Sequence, residues 1–108
     1  SGRFQMVMHG VRGSIEHWSD GSLRLRGFFY DGQGPRDVVV WVYNQTTDFH
    51  AILGGTAVSP HLGRSRPYIG EDFEVVLPLA IEPGMFNSVA IWCTSAQSTY
   101  GRARLFGE

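Results

Sequence analysis

The chain has 108 residues, 43% hydrophobic and 13% aromatic, with a formal net charge of -1. A chain of that length buries roughly two-thirds of its unfolded surface, so one domain with an unstapled core is expected and disorder is excluded. The near-neutral charge gives no reason to expect nucleic acid or an anionic membrane as a partner, and no apolar run approaches the ~20 residues that span a bilayer.

The opening Ser1-Gly2 reads as a cleavage scar on a module excised from a longer protein, and no signal peptide is recognisable. Apolar residues then recur with period two, which predicts strands. Phe4, Met6 and Met8 alternate with Gln5, Val7 and His9. Ser14 to Trp18 reads as a second strand, and Asp20-Gly21 as a two-residue turn, because both residues tolerate positive φ. Leu23 and Leu25 alternate with Arg24 and Arg26 in a half-buried strand ending in Phe28 and Phe29. Tyr30 follows as an exposed loop aromatic, and Asp31-Gly32-Gln33-Gly34-Pro35 is a turn by composition.

Val38 to Tyr43 is apolar on both faces and is placed centrally. Asn44 to Asp48 is a polar turn, and Ala51 to Gly55 is expected to be a short strand. Ser59 to Gly70 is the longest loop, rich in Pro, Gly and Arg. Phe73 to Leu77 is a strand closed by Pro78. Ile81 to Asn87 is a turn or short helical excursion. Val89 to Cys93 and Tyr100 to Phe106 complete about eight strands. Fourteen glycines and five prolines punctuate the chain at a spacing of about 8 to 12 residues. The expected fold is therefore an all-β antiparallel sandwich.

The only cysteine, Cys93, closes the run Ser88-Val89-Ala90-Ile91-Trp92-Cys93. Val89, Ile91 and Cys93 share one strand face, and Ala90 and Trp92 the other. If the first face is the core, Cys93 is an inert packing residue; near an arginine or a cleft it is a thiolate nucleophile, a redox relay or a soft metal ligand. In the Asp31–Asp37 stretch the carboxylates either cap backbone amides or hold a ligand. His9, His17, His50 and His61 form no i, i+4 pair. With Met6, Met8 and Met85 they offer soft ligands for haem or copper, but their spacing selects neither, so the cofactor stays unknown. Arg64, Arg66 and Tyr68 on the long loop suit a polysaccharide or carboxylate contact. Arg24 with Arg26, and Arg102 with Arg104, each share a face; separate solvated faces are expected. Asn44-Gln45-Thr46 is an N-glycosylation sequon on a turn. No nucleophile elbow or paired-acid arrangement marks a stand-alone enzyme.

Leu23 and Leu25, Phe28 to Pro35 with Asp37, Val38 to Trp41, Leu77-Pro78, Val89 to Cys93 and Tyr100-Gly101 occur in that order along the chain. This pattern resembles the DM-thirteen domain, the small module of Skeletor-like and Knickkopf-like extracellular proteins. Two departures stand out: Arg36 sits between Pro35 and Asp37, and Tyr43 takes a place where glycine often follows the tryptophan strand. The resemblance implies a β-sandwich found beside DOMON and cytochrome b561-type modules, extracellular or at the cell surface. It also implies a redox or electron-transfer role proposed from the cysteine, with Trp41 or Trp92 carrying electrons to a neighbouring module. The other expected reading is a module that binds extracellular polysaccharide or matrix protein through Tyr30, Asp31, Asp37, Arg64, Arg66 and Tyr68.

Overall fold

The computed structural model describes residues 2–64 and 66–105. Nine strands run in chain order: β1 (Gly2–Arg3), β2 (Gln5–Met6), β3 (Arg12–His17), β4 (Ser22–Tyr30), β5 (Val38–Tyr43), β6 (Thr56–Ala57), β7 (Tyr68–Val76), β8 (Ser88–Cys93) and β9 (Ser98–Arg104). They form two sheets, ordered β1-β3-β4-β7 and β2-β9-β8-β5-β6, and every pairing is antiparallel. The all-β sandwich read from the period-two pattern is the observed architecture. Among the described residues no helix is long and apolar enough to cross a membrane.

The differences from expectation have local causes. The opening segment is not one strand: β1 pairs with β3 in one sheet and β2 with β9 in the other. Phe4 sits at the crossing point, buried, with its amide donating to the Gly13 carbonyl at 2.8 Å. Met6 and Met8 are exposed instead. The turn before β4 takes four residues, Trp18–Gly21, and Asp20 caps it by accepting from the Ser22 amide and hydroxyl. Ala51–Gly54 is a 3-10 turn rather than a strand, and the short strand β6 follows it. β7 begins at Tyr68, so the long loop is shorter than composition suggested. A short 3-10 turn at Pro83–Met85 fulfils the helical excursion. The last strand runs Ser98–Arg104, and Phe106 lies outside the described residues.

β5 is paired on both edges, to β6 and β8, and nearly all its residues are buried. Val38, Val40 and Val42 face the core between the sheets, beside Val89, Ile91 and Cys93 of β8. Val39, Tyr43, Ala90 and Trp92 form a second apolar cluster with Trp41 and Ile52. The 3-10 turn lies over that face, and the Trp41 indole donates to the Ile52 carbonyl at 2.8 Å. A strand apolar on both faces therefore serves a fold with a small third layer, not a bare two-layer sandwich.

Two bulges decide what enters the core at one end. In β4, Leu23 and Leu25 point inward, yet so do Phe28 and Tyr30, so the parity flips between them. The register against β7 shifts between Leu25 and Phe28, where Gly27 has φ 57°. In β9, Trp92 pairs with Thr99 and Ile91 with Gly101, leaving Tyr100 as the extra residue. Bulges re-aim side chains in this way. Both phenols arrive beside Cys93 as a result.

Candidate functional site

Cys93 ends β8 on its core-facing side and is 0% exposed. Of the two readings open at the sequence level, burial is the one observed, but the surroundings of the sulfur are not simply apolar. Its thiol donates to Asp37 Oδ1 at 3.8 Å and lies 3.6 Å from Ser95 Oγ. Asp37 organises the turn after β8. It accepts from the Ser95 hydroxyl at 3.1 Å and, through both its carboxylate and its carbonyl, from the Thr94 hydroxyl at 3.0 Å. The Ser95 and Thr94 hydrogen bonds hold its carboxyl below the usual range, so a carboxylate stands beside the thiol at neutral pH.

Above the sulfur lie two phenols. Burial, then the neighbouring Cys93, pushes the Tyr100 hydroxyl above its ordinary value. Burial pushes Tyr30 up to about 12, against the Gly34 amide that donates to its oxygen at 3.2 Å. The rings are 6.1 Å apart. The loop from Asp31 to Asp37 closes directly on them. A Cβ at Gly34 would stand 2.6 Å from the Tyr30 oxygen and 2.7 Å from a Tyr100 ring carbon, so only glycine fits. Among the described residues no group of three His, Cys, Asp or Glu side chains is arranged to hold a metal ion.

The phenols connect to the surface on one side. His9, in the left-handed conformation at φ 60°, lays its ring over Tyr100 at 4.4 Å between centroids. Its Nδ1 lies 3.0 and 3.1 Å from the two Asp31 carboxylate oxygens, and its side chain is 29% exposed. The Tyr100 carbonyl accepts from both the Val7 and Met8 amides, which fixes the turn carrying His9. Met6, Val7 and Met8 are exposed along that segment, and Ile69 across from it. An open groove of about 420 Å³, lined by His9, Arg12, Phe29, Tyr30, Asp31 and Ile69 among others, lies there.

Other sequence candidates fall elsewhere. Tyr30 is 1% exposed and not a loop aromatic, because the Gly27 bulge turns it inward. Tyr68 stacks on Tyr30 at 5.9 Å and donates to the Leu62 carbonyl. Arg64 stacks on Tyr68 at 3.5 Å and is ion-paired with Glu71, whose carboxyl it holds low, so it is already committed. Arg66 is exposed, with its carbonyl accepting from Arg64. Trp41 and Trp92 stack at 5.5 Å, but on the outer face, with the sheet between them and the sulfur. Asn44 is exposed on its turn. His17 packs on Phe86 and His50 on Phe49, far from any common centre.

Sequence reasoning counted His9 only among four histidines whose spacing selects no ligand, and valued Tyr100 only as part of a motif. No local pattern flags either residue. The one signal available was the place of Tyr100-Gly101 in the motif order.

A family model described as electron transfer DM13 matches residues 3–105. The chain belongs to that family. No curated protein and no solved structure matches it.

Proposed function

We propose that membership of the electron transfer family is expressed in this chain through Cys93, with Tyr100 and His9 linking the thiol to a partner. The observation that carries this reading is the geometry at one end of the sandwich. A buried thiol lies beneath two phenols, and one phenol is stacked on a partly exposed His9 that is paired with Asp31. Cys93 donates one electron and one proton and becomes a thiyl radical. The proton leaves along the hydrogen bond to Asp37. The electron leaves through the Tyr100 and His9 rings to a strongly oxidising one-electron acceptor on the partner, which is reduced by one electron. The exposed Met6, Val7, Met8 and Ile69 around His9 supply an apolar rim for that partner.

The module acts without stand-alone catalysis, among neighbouring modules of a longer protein outside the cell or at its surface. The exposed Asn44 sequon supports that placement.

The test is oxidation of the chain with hexachloroiridate(IV), followed by freeze-quench electron paramagnetic resonance. Native protein is expected to lose its titratable thiol. Cys93→Ala is expected to accumulate a tyrosyl signal that persists, and Tyr100→Phe to lose the signal and slow thiol oxidation about tenfold. Equal oxidation kinetics in all three proteins would overturn the proposal.

A further inference from the structure

The outer face of the five-stranded sheet carries a second site, independent of the redox reading. Gln5 pairs with Arg102 across β2 and β9, Arg104 with Ser88 across β9 and β8, and Ser88 with Tyr43 across β8 and β5. Cross-strand partners share a face, so these side chains lie side by side. Arg3 reaches the same place from β1, whose Gly2 packs on the Arg104 carbonyl. Together with Gln45 they line a cleft of about 470 Å³. Tyr43 and Ser88 form its buried floor, and the three arginines stand exposed around it.

The charge is one-sided. Among the described residues no Asp or Glu lines the cleft. Among the described residues Arg102 and Arg104 have no carboxylate partner. Arg24 and Arg26, on the other sheet, are each shared between two. Burial raises the Tyr43 hydroxyl, and the nearby Arg102 charge and the Ser88 hydroxyl oppose that shift.

We infer that this cleft binds an anionic saccharide carrying sulfate or carboxylate groups. Guanidinium forks match planar or tetrahedral oxyanions with two parallel hydrogen bonds. The carboxamides of Gln5 and Gln45 both donate and accept, as sugar hydroxyls do; a bare anion has no use for their acceptor oxygens. The volume falls in the usual range for small-ligand clefts. Sites on the long loop are poorer candidates, because Arg64 is held by Glu71 and Tyr68.

The experiment is isothermal titration of the full chain with a heparin-derived hexasaccharide and an oligogalacturonate, against neutral dextran oligosaccharides and inorganic pyrophosphate. At least one of the two acidic saccharides is expected to bind, more weakly as salt rises, while dextran does not. Arg102→Ala with Arg104→Ala is expected to weaken binding about tenfold or more, and Arg102→Lys by less, since it keeps charge and loses the fork. Arg24→Ala with Arg26→Ala is expected to leave binding intact. Thermal melts confirm that each variant folds. No saccharide binding up to about 1 mM, equal binding by the Arg102/Arg104 variant, or pyrophosphate binding more tightly than either saccharide would each overturn the inference.

Discussion

The two faces of β8 make the sharpest contrast in the molecule. Inward, Cys93 ends a row with Val89 and Ile91 and meets two phenols and a carboxylate. Outward, Trp92 and Ala90 meet Trp41 and the 3-10 turn. Both sites are aromatic and both are buried. They differ in their polar atoms. The outer stack has the Trp41 hydrogen bond to Ile52 and is otherwise apolar, which suits a packing role. The inner cluster has a thiol, two phenols, the Thr94 and Ser95 hydroxyls, two carboxylates and an imidazole that reaches solvent. Aromatic density alone does not mark a redox site; the groups that can release a proton with the electron do.

The largest expected effect tests the outer face. Trp92→Ala removes a buried indole and is expected to cost about 3 to 5 kcal/mol of stability, measured by urea unfolding. Thiol oxidation at Cys93 is expected to be unchanged in the folded fraction. A slowed oxidation at full foldedness would move the electron path to the tryptophans and break the contrast.

Alkaline pH tests the inner face. Tyr30, Tyr43, Tyr68 and Tyr100 all have hydroxyls raised above 10.0 by burial, Tyr30 to about 12. A raised pKa in the fold means that the neutral form is favoured there. The associated stability is full below about pH 10 and is lost as pH rises toward 12. For Tyr30 alone the loss between pH 8 and pH 11.5 is about 2 kcal/mol by linkage. Urea midpoints at pH 8 and pH 11.5 measure it, and Tyr30→Phe is expected to flatten the difference. Equal midpoints in the native chain would show that the phenols ionise freely.

Gly34→Ala sharpens the contrast with the smallest energy. The added methyl overlaps Tyr30 and Tyr100 and is expected to cost about 1 to 3 kcal/mol. Native thiol labelling at Cys93 is expected to speed up, because the loop that seals the sulfur is displaced. Unchanged labelling would mean that the reagent reaches the thiol by another route.

Much of the fold was legible. The alternation of Leu23 with Arg24 and Leu25 with Arg26 identified a strand with one buried face, and the continuous apolar run Val38 to Tyr43 an interior strand, as observed. The faces of Cys93 and Trp92 followed from period two alone. Tyr30 was misplaced because alternation assumes an unbroken register, and the Gly27 bulge breaks it. The segment at Ala51 was misread as a strand because a short apolar run has no periodicity to separate a strand from a turn packed on a sheet.

The two Arg-x-Arg strands show where local information ends. Arg24 with Arg26 and Arg102 with Arg104 have the same spacing and the same strand setting. One pair is neutralised by carboxylates from neighbouring strands, while the other borders a cleft of amides and a phenol. The sequence by itself determined most of the strands and which residues of β8 share a face, because a pleated chain alternates its side chains every residue; which face is buried came from the packing of the two sheets. Sheet order and the two bulges decided the rest. They set which distant residues meet, and so only the tertiary structure brought His9, Tyr30, Tyr100 and Asp37 together around Cys93.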